Sequence, residues 1–287
     1  MYNVHPSQNK ISVKNTQGES ESIDYDVLVL ATGASYCGPW RDKPEVLSTY
    51  EARREEMATV RNAIKEARSV LCVGAGPTGL ETAGYLKEKY PDKTVGVCLR
   101  GKTLLPAYNG GHEKAEALLN ELGVEILYET GYQEGDQVKT KAGTTYEYVI
   151  DCRGFKFAGP SQYLPEEMKD CIDKKSGQIL VDKRCRVTNV HPIASAAPSE
   201  PRIHQNIFSF GDVCLTPTNE PKSIVSLVQM TDVVGQNISE QATGKPGTRD
   251  IPNKIMTIGM IPLGKSRGIF NFNRMTNSDN TVPEKKT

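Results

Sequence analysis

An α/β fold is predicted by three stretches of this chain. Residues Ser69–Arg100 read SVLCVGAGPTGLETAGYLKEKYPDKTVGVCLR: an apolar run, a glycine-rich turn, a helix-patterned segment and a second apolar run. Asp24–Leu30 (DYDVLVL) and Ile207–Phe210 (IFSF) are apolar runs that stop abruptly, the first at Ala31-Thr32-Gly33 and the second at Gly211-Asp212. Short continuous apolar runs bounded by turn residues belong to strands buried on both faces.

Along the chain, residues 1–22 alternate loosely around the turn candidate Asn15–Gly18, which predicts an antiparallel hairpin. Asp24–Leu30 follows as a strand. Segment 46–67 places Leu47, Tyr50, Met57, Val60 and Ile64 near helical spacing, with charges on the other face. Val70–Val73 and Thr94–Leu99 are strands flanking a helix. A helix over Glu113–Leu122 ends at Gly123, and a strand over Val124–Tyr128 comes next. A hairpin turning at Ala142-Gly143 closes on Tyr148–Asp151. Residues 150–200 are rich in Pro and Ser and are expected to be irregular, apart from a strand at Gln178–Val181. Ser223–Glu240 is helical, and 271–287 is expected to be a frayed polar tail.

The strand–turn–helix–strand order gives Gly74-Ala-Gly76-Pro-Thr-Gly79 its chemical meaning as a dinucleotide-binding fingerprint. Gly74 permits the tight turn, Gly76 lets the backbone approach a pyrophosphate, and Gly79 lets the helix pack closely. Pro77 and Thr78 open the helix, whose free N–H groups and partial positive charge suit phosphate. At the end of the second strand, where NAD enzymes usually place an acid for the ribose hydroxyls, the chain has Leu99-Arg100-Gly101-Lys102. Arg100, helped by Lys102, then tolerates or prefers the 2′-phosphate of NADPH; otherwise both are solvated loop cations.

Composition narrows the class. With 35 basic and 35 acidic residues, no global field recruits nucleic acid or anionic lipid. No apolar run is long enough for a transmembrane segment, and Tyr2 stands where N-myristoylation needs glycine. The seven cysteines are scattered without a CxxC or a metal-type cluster, so no metal site is expected. Such usage fits reduced, structural thiols and a cytoplasmic or other reducing compartment, with mitochondrial or membrane-peripheral association left open.

In order and spacing, YDVLVLATG (25–33), VGAGPTGLETAG (73–84) and IFSFGDV (207–213), with NEPK (219–222), resemble the FAD/NAD(P)H flavoprotein oxidoreductases of the pyridine nucleotide-disulfide oxidoreductase superfamily. The likeness is closest to the apoptosis-inducing-factor-like, ferroptosis-suppressor and type II NADH dehydrogenase branch. It implies a Rossmann-like ββα NAD(P)-binding domain, residues 68–149, inserted in a partial FAD-binding domain of the two-dinucleotide-fold type, residues 1–47 and 150–249. A connecting helix would occupy 48–67, and a C-terminal segment and tail 250–287. By the same resemblance Gly211 and Asp212 meet the flavin's ribityl or phosphate region, Lys222 lies on the flavin side, and Thr32-Gly33 and Gly154 mark the crossovers between domains. Glu81 would lie near the nicotinamide and flavin rings. Without the resemblance, Gly211-Asp212 reads as a turn and Glu81 as a solvated first-turn acid.

The chain also departs from that pattern. No glycine-rich turn precedes Gly74, so the family's FAD fingerprint is missing and FAD is the weaker of the two cofactor expectations. The second crossover reads Cys152-Arg153-Gly154, with an Arg where relatives keep a small residue. Two readings stay open. One is a flavin-dependent NAD(P)H oxidoreductase that passes electrons to a quinone-like acceptor. The other is a degenerate, flavin-less relative serving as a structural or accessory subunit that still binds NAD(P). Either way, a protein partner or a second copy is expected over the face of the missing FAD lobe.

Overall fold

A computed structural model of the chain describes residues 3–15, 17–40, 49–108, 110–155, 157, 159–193, 198–219, 222–253, 258–272 and 275–277. The chain divides into two compact units, one of them interrupted by the other. Met1–Ser35 with Lys156–Thr257 forms the first, and Tyr36–Phe155 with Ile258–Thr287 the second.

The second unit is built on a four-stranded parallel sheet with spatial order Glu125–Leu127, Thr94–Cys98, Ser69–Val73, Tyr148–Asp151. Ser69–Val73 is central and buried throughout, which is why its sequence is a continuous apolar run. Its side chains divide by parity. Val70 and Cys72 join the core beneath the helices Pro77–Lys89 and Gly111–Leu122, with Leu80, Ala83 and Leu119. Leu71 and Val73 face the opposite way, into a smaller cluster with Cys98 and Tyr146. On that face Tyr146 lies across Gly96, where an added Cβ would sit 2.0 Å from the phenol oxygen. The same hydroxyl donates to Glu125 Oε2 at 2.6 Å, tying the segment before Tyr148–Asp151 to the strand Glu125–Leu127.

The hairpin expected at Ala142-Gly143 reduces to a turn, with Gly143 at φ +87 and one antiparallel bridge between Lys139 and Thr145. The helix expected over 46–67 runs Tyr50–Glu66 and starts at Thr49, whose side chain accepts from the Ala52 N–H; residues 46–48 lie outside the described residues. The tail expected from 271 is corrected in its first part. Ile258–Pro262, Gly268–Phe272 and Met275–Asn277 form an antiparallel sheet. Ile261, Leu263 and Ile269 enter the helix-side core. Their burial, rather than any strong pattern, orders this segment. Residues from 278 onward lie outside the described residues.

In the first unit, Asn3–His5, Lys10–Lys14 and Ser20–Asp24 form an antiparallel sheet. The strand expected over Asp24–Leu30 is therefore two strands. Ser20–Asp24 completes this sheet, and Leu28–Leu30 starts afresh as the parallel neighbour of Ile203–Ser209. The break falls where the Tyr25 N–H turns to the Asn9 carbonyl at 2.9 Å. Residues 150–200 are more ordered than expected, with a short helix at Pro160–Tyr163, a 3₁₀ turn at Glu166–Cys171 and a strand at Arg186–Thr188. The expected strand at Gln178–Val181 is Ile179–Leu180 with a bridge at Val181. Helix Ile224–Ala242 is opened by a capping box of Ser223 and Ser226. All seven cysteines are free thiols, and six of them are buried. Among the described residues no helix is long and apolar enough to cross a membrane, and no group of His, Cys, Asp and Glu suits a metal ion.

The Tyr146–Gly96 stacking predicts that Gly96→Ala overpacks the sheet face and displaces the Tyr146 hydroxyl from Glu125. The expected loss is about 1–3 kcal/mol of unfolding free energy, read as a lower denaturation midpoint. The double substitution Gly96→Ala with Tyr146→Phe does not repair it, because the Phe ring keeps the crowding carbons.

Candidate dinucleotide site

The site begins where the central strand ends. Gly74 has φ +110, a backbone region open to glycine, and its N–H donates to the Cys98 carbonyl at 2.9 Å. A Cβ here would lie 3.2 Å from the backbone of Cys152 and Arg153. Gly76 is extended and caps the helix without a side chain; Pro77 takes the first helical position, where a missing N–H costs nothing. A Cβ on Gly79 would fall 1.9 Å from the Gly74 carbonyl oxygen, so the helix rests directly on its own leading turn. At Gly76 nothing among the described residues beyond its chain neighbours lies within 4 Å of the corresponding position. Gly74 and Gly79 are thus required by the protein itself, whereas Gly76 keeps open space facing a cleft.

That cleft, about 510 Å³, lies at the carboxyl ends of the parallel strands. Gly74, Gly76, Arg100, Lys102, Tyr132 and Arg153 are among its walls. Pro77, Thr78, Gly79 and Glu81 follow on the helix and are not among its described lining residues. Arg100 is exposed and has no hydrogen bond or ion pair among the described residues. Lys102 pairs with Glu129 at 3.4 Å, both well exposed; such a surface pair adds little stability. Burial pushes the Cys98 thiol up to about 11, a shift that the Gly74 N–H and the nearby Arg153 charge partly oppose.

Glu81 is half-buried and has no hydrogen-bond or ion-pair partner among the described residues; burial raises its carboxyl above the ordinary range. Tyr108 is close enough to feel its charge, which adds to the upward push of burial on the phenol.

The other expected residues lie in the first unit, apart from Gly154. Leu28–Leu30 and Ile203–Ser209 run parallel, with Ser209 opposite Leu30, and Ser209 Oγ donates to the Leu30 carbonyl at 2.8 Å. Thr32-Gly33 and Gly211-Asp212 consequently leave the same sheet edge side by side. Both glycines take positive φ, +67 and +80. Thr32 shares a 2.9 Å hydrogen bond with the Tyr163 hydroxyl. Gln178 Nε2 donates to the Asp212 and Cys214 carbonyls, each at 2.9 Å, and Lys222 Nζ donates to Cys214 O at 2.7 Å. Glu220 and Pro221 of the NEPK motif lie outside the described residues. Gly154 is exposed in the second unit, where its carbonyl accepts from the Cys37 thiol at 3.9 Å.

Sequence reasoning missed one member of the cleft. Arg153 is gripped by Asp151 through Nε at 2.9 Å and Nη2 at 2.7 Å, and Nη1 donates to the Tyr132 carbonyl at 3.0 Å. Its place two residues after Asp151, an acid close enough along the chain to grip a guanidinium, was the available signal.

Comparison with known proteins bears on the family and the fold. The family model described as pyridine nucleotide-disulphide oxidoreductase matches residues 2–231. Ferroptosis suppressor protein 1 of Homo sapiens is 27% identical over 210 residues, 67% of this chain and 50% of that protein. The chain therefore spans half the length of that relative. Among solved structures, the water-forming NADH oxidase of Lactobacillus brevis bound to NADH superposes with a TM-score of 0.63 at 18% identity, covering 94% of this chain and 57% of that one. The sulfide:quinone oxidoreductase of Aquifex aeolicus gives 0.63 at 16% identity, covering 97% and 69%. At those identities the likeness is one of fold.

Two predictions follow from the glycines and from Glu81. Gly79→Ala is expected to destabilise the unit by about 1–3 kcal/mol, whereas Gly76→Ala should stay within about 0.5 kcal/mol and instead weaken dinucleotide binding at least tenfold in titration calorimetry. For Glu81, a carboxyl raised by burial contributes its stability below the unfolded-state pKa and loses it as pH rises through the folded-state value. Glu81→Gln should then raise the melting temperature at pH 7.5 and leave it unchanged at pH 4; equal shifts at both would show that its charge is not the cause.

Proposed function

The chain belongs to the pyridine nucleotide-disulphide oxidoreductase family, and from that premise we propose that it is an NAD(P)H oxidoreductase of the two-cofactor type. Its first step is binding of NAD(P)H in the cleft above Gly74–Gly79, with NADPH favoured. The observation that carries this reading is the open space at Gly76 beside the start of an uncapped helix. A pyrophosphate there meets backbone N–H groups and the positive end of the helix dipole.

Each neighbour has a defined task. Gly74 holds the turn and Gly79 brings the helix close enough to aim its first N–H groups. Arg100 offers an unpartnered guanidinium at the end of the second strand, suited to a 2′-phosphate by its planar fork of donors. Lys102, shared with Glu129, is the weaker cation of the two. Glu81 is assigned beside the nicotinamide, where a half-buried carboxyl shapes local polarity. Thr32, Gly33, Gly211 and Asp212, arriving at one sheet edge, are assigned to the flavin, with the Asp212 carboxylate as acceptor for ribityl hydroxyls and Gly154 as the second crossover. Lys222 steadies the segment after Asp212 through the Cys214 carbonyl and is a positioning residue in this reading. When bound, the nicotinamide would supply a hydride to FAD, and the reduced flavin would pass two electrons to a quinone-like acceptor, the chemistry belonging to the cofactors and the positioning to these residues.

The visible spectrum of the purified protein tests the proposal. Flavin bands bleached by NADPH support the two-cofactor reading. A colourless protein stabilised by NADPH, through the linkage a native-state ligand produces, overturns the flavin assignment and leaves a flavin-less binding protein. No response to either nucleotide overturns the cleft reading as well. Arg100→Glu is expected to weaken NADPH about tenfold or more, the size of a lost charge-assisted hydrogen bond, while NADH changes little. Equal losses for both nucleotides would remove Arg100 from the 2′-phosphate.

A further inference from the structure

We propose that Arg153 is a second anion-binding group of this cleft, one that contacts the pyrophosphate common to NADH and NADPH. Asp151 and the Tyr132 carbonyl act as its positioning groups. The inference rests on the cleft being a dinucleotide site and adds a residue that the glycine fingerprint does not contain.

The geometry of the strand ends places the guanidinium. The backbone of Arg153 is packed on Gly74, so the residue starts at the phosphate turn itself. Its side chain leaves the end of strand Tyr148–Asp151, yet its guanidinium bonds Tyr132, which follows the strand at the far edge of the sheet. Between them the charge is felt by Cys98, at the end of Thr94–Cys98. The side chain thus crosses the carboxyl end of the central strand, where the cleft floor lies.

A guanidinium carries five N–H donors. Three are used, two on the Asp151 carboxylate and one on the Tyr132 carbonyl, and the Tyr132 ring lies 5.8 Å away. Among the described residues two remain without a partner, on a side chain that is 39% exposed. A clip between two chain segments would need only the occupied donors. Among the described residues, the other charged groups lining the cleft are Arg100 and Lys102, with Glu129 on Lys102. Asp151 fixes the fork in a bidentate grip, which lowers the ordering cost when a phosphate takes the remaining donors. The division of labour is then by phosphate: Arg153 for the pyrophosphate of either nucleotide, Arg100 for the 2′-phosphate of one.

Titration calorimetry on the full chain with NADH, NADPH, ADP and adenosine tests this, using Arg153→Gln and Arg153→Lys. Because Arg153→Gln takes the guanidinium away from the Asp151 carboxylate, leaving the 3.0 Å bond from the residue-153 backbone N–H, Arg153→Gln with Asp151→Asn is measured beside it. Expected are losses of about tenfold for NADH, NADPH and ADP alike, unchanged adenosine, partial recovery in Arg153→Lys, and a shallower salt dependence of binding. Unchanged ADP affinity in the double variant, or adenosine falling in step with ADP, would reduce Arg153 to a structural clip and overturn the proposal while the cleft assignment stands. A wild-type chain that binds none of the four overturns the cleft assignment and this proposal with it.

Discussion

The close approach of three backbones at the end of the central strand governs the second unit. Gly74 must turn with positive φ while Cys152 and Arg153 press on one side of it, and Gly79 brings the helix down on its carbonyl. A Cβ at Gly79 would collide with that carbonyl at 1.9 Å, and at Gly74 it would meet backbone at 3.2 Å in a conformation that L side chains rarely adopt. Interiors are packed too densely to absorb such a change by small adjustments elsewhere. The helix direction, the depth of the cleft and the position of Arg153 all follow from this one packing. It also couples the site to the hydrophobic core, because Cys152, buried beside the turn, belongs to the same cluster as Leu80 and Ala83.

Hydrogen-bond accounting supports the proposal that the cleft takes an anion. At the sheet's carboxyl edge the backbone is largely paired: Gly74 N–H with Cys98 O, Cys152 N–H with Val73 O, Leu99 N–H with Leu127 O, and Leu105 N–H with Ala75 O. The first helical N–H groups stay without intrahelical partners by the geometry of any helix start. The unsatisfied groups that remain are thus donors, joined by Arg100 and by part of Arg153. A carboxylate ligand of the ribose hydroxyls is absent from the end of the second strand, and the nearby acids Glu129 and Asp151 are engaged with Lys102 and Arg153.

Much of this was legible in the sequence where one local rule decides. The central strand, the glycine turn and the helix after it are each specified by apolar continuity, by positive-φ chemistry or by Pro at the first helical position, and they appear where expected. The parallel pairing of Leu28–Leu30 with Ile203–Ser209 rests on two apolar runs far apart in the chain. Family likeness, rather than pattern, suggested that they belong together. Of the C-terminal strands, Met275–Asn277 was not legible, because it is ordered by pairing with Gly268–Phe272, a strand whose Ile269 is buried in the helix-side core. Arg153 was misjudged for a similar reason. Its type marked it as foreign to a crossover, but the partners that aim it, Asp151 and Tyr132, are an acid two residues earlier and a residue across the sheet.

The contrast between Arg100 and Lys102 shows how the structure sharpens a choice that composition leaves open. Both follow the second strand and both line the cleft. Lys102 carries a single compact charge already shared with Glu129, whose backbone is anchored to Gly101 by an N–H to carbonyl bond of 3.1 Å. That anchoring holds the acid beside the lysine, so any phosphate drawing on Lys102 must also approach a carboxylate. Arg100 has no such neighbour among the described residues, and a guanidinium binds phosphate through two parallel donors. The loop therefore offers one usable cation and not two, and the same Glu129 that weakens Lys102 also discourages a second anion nearby. The proposed 2′-phosphate contact at Arg100 rests on this charge pattern.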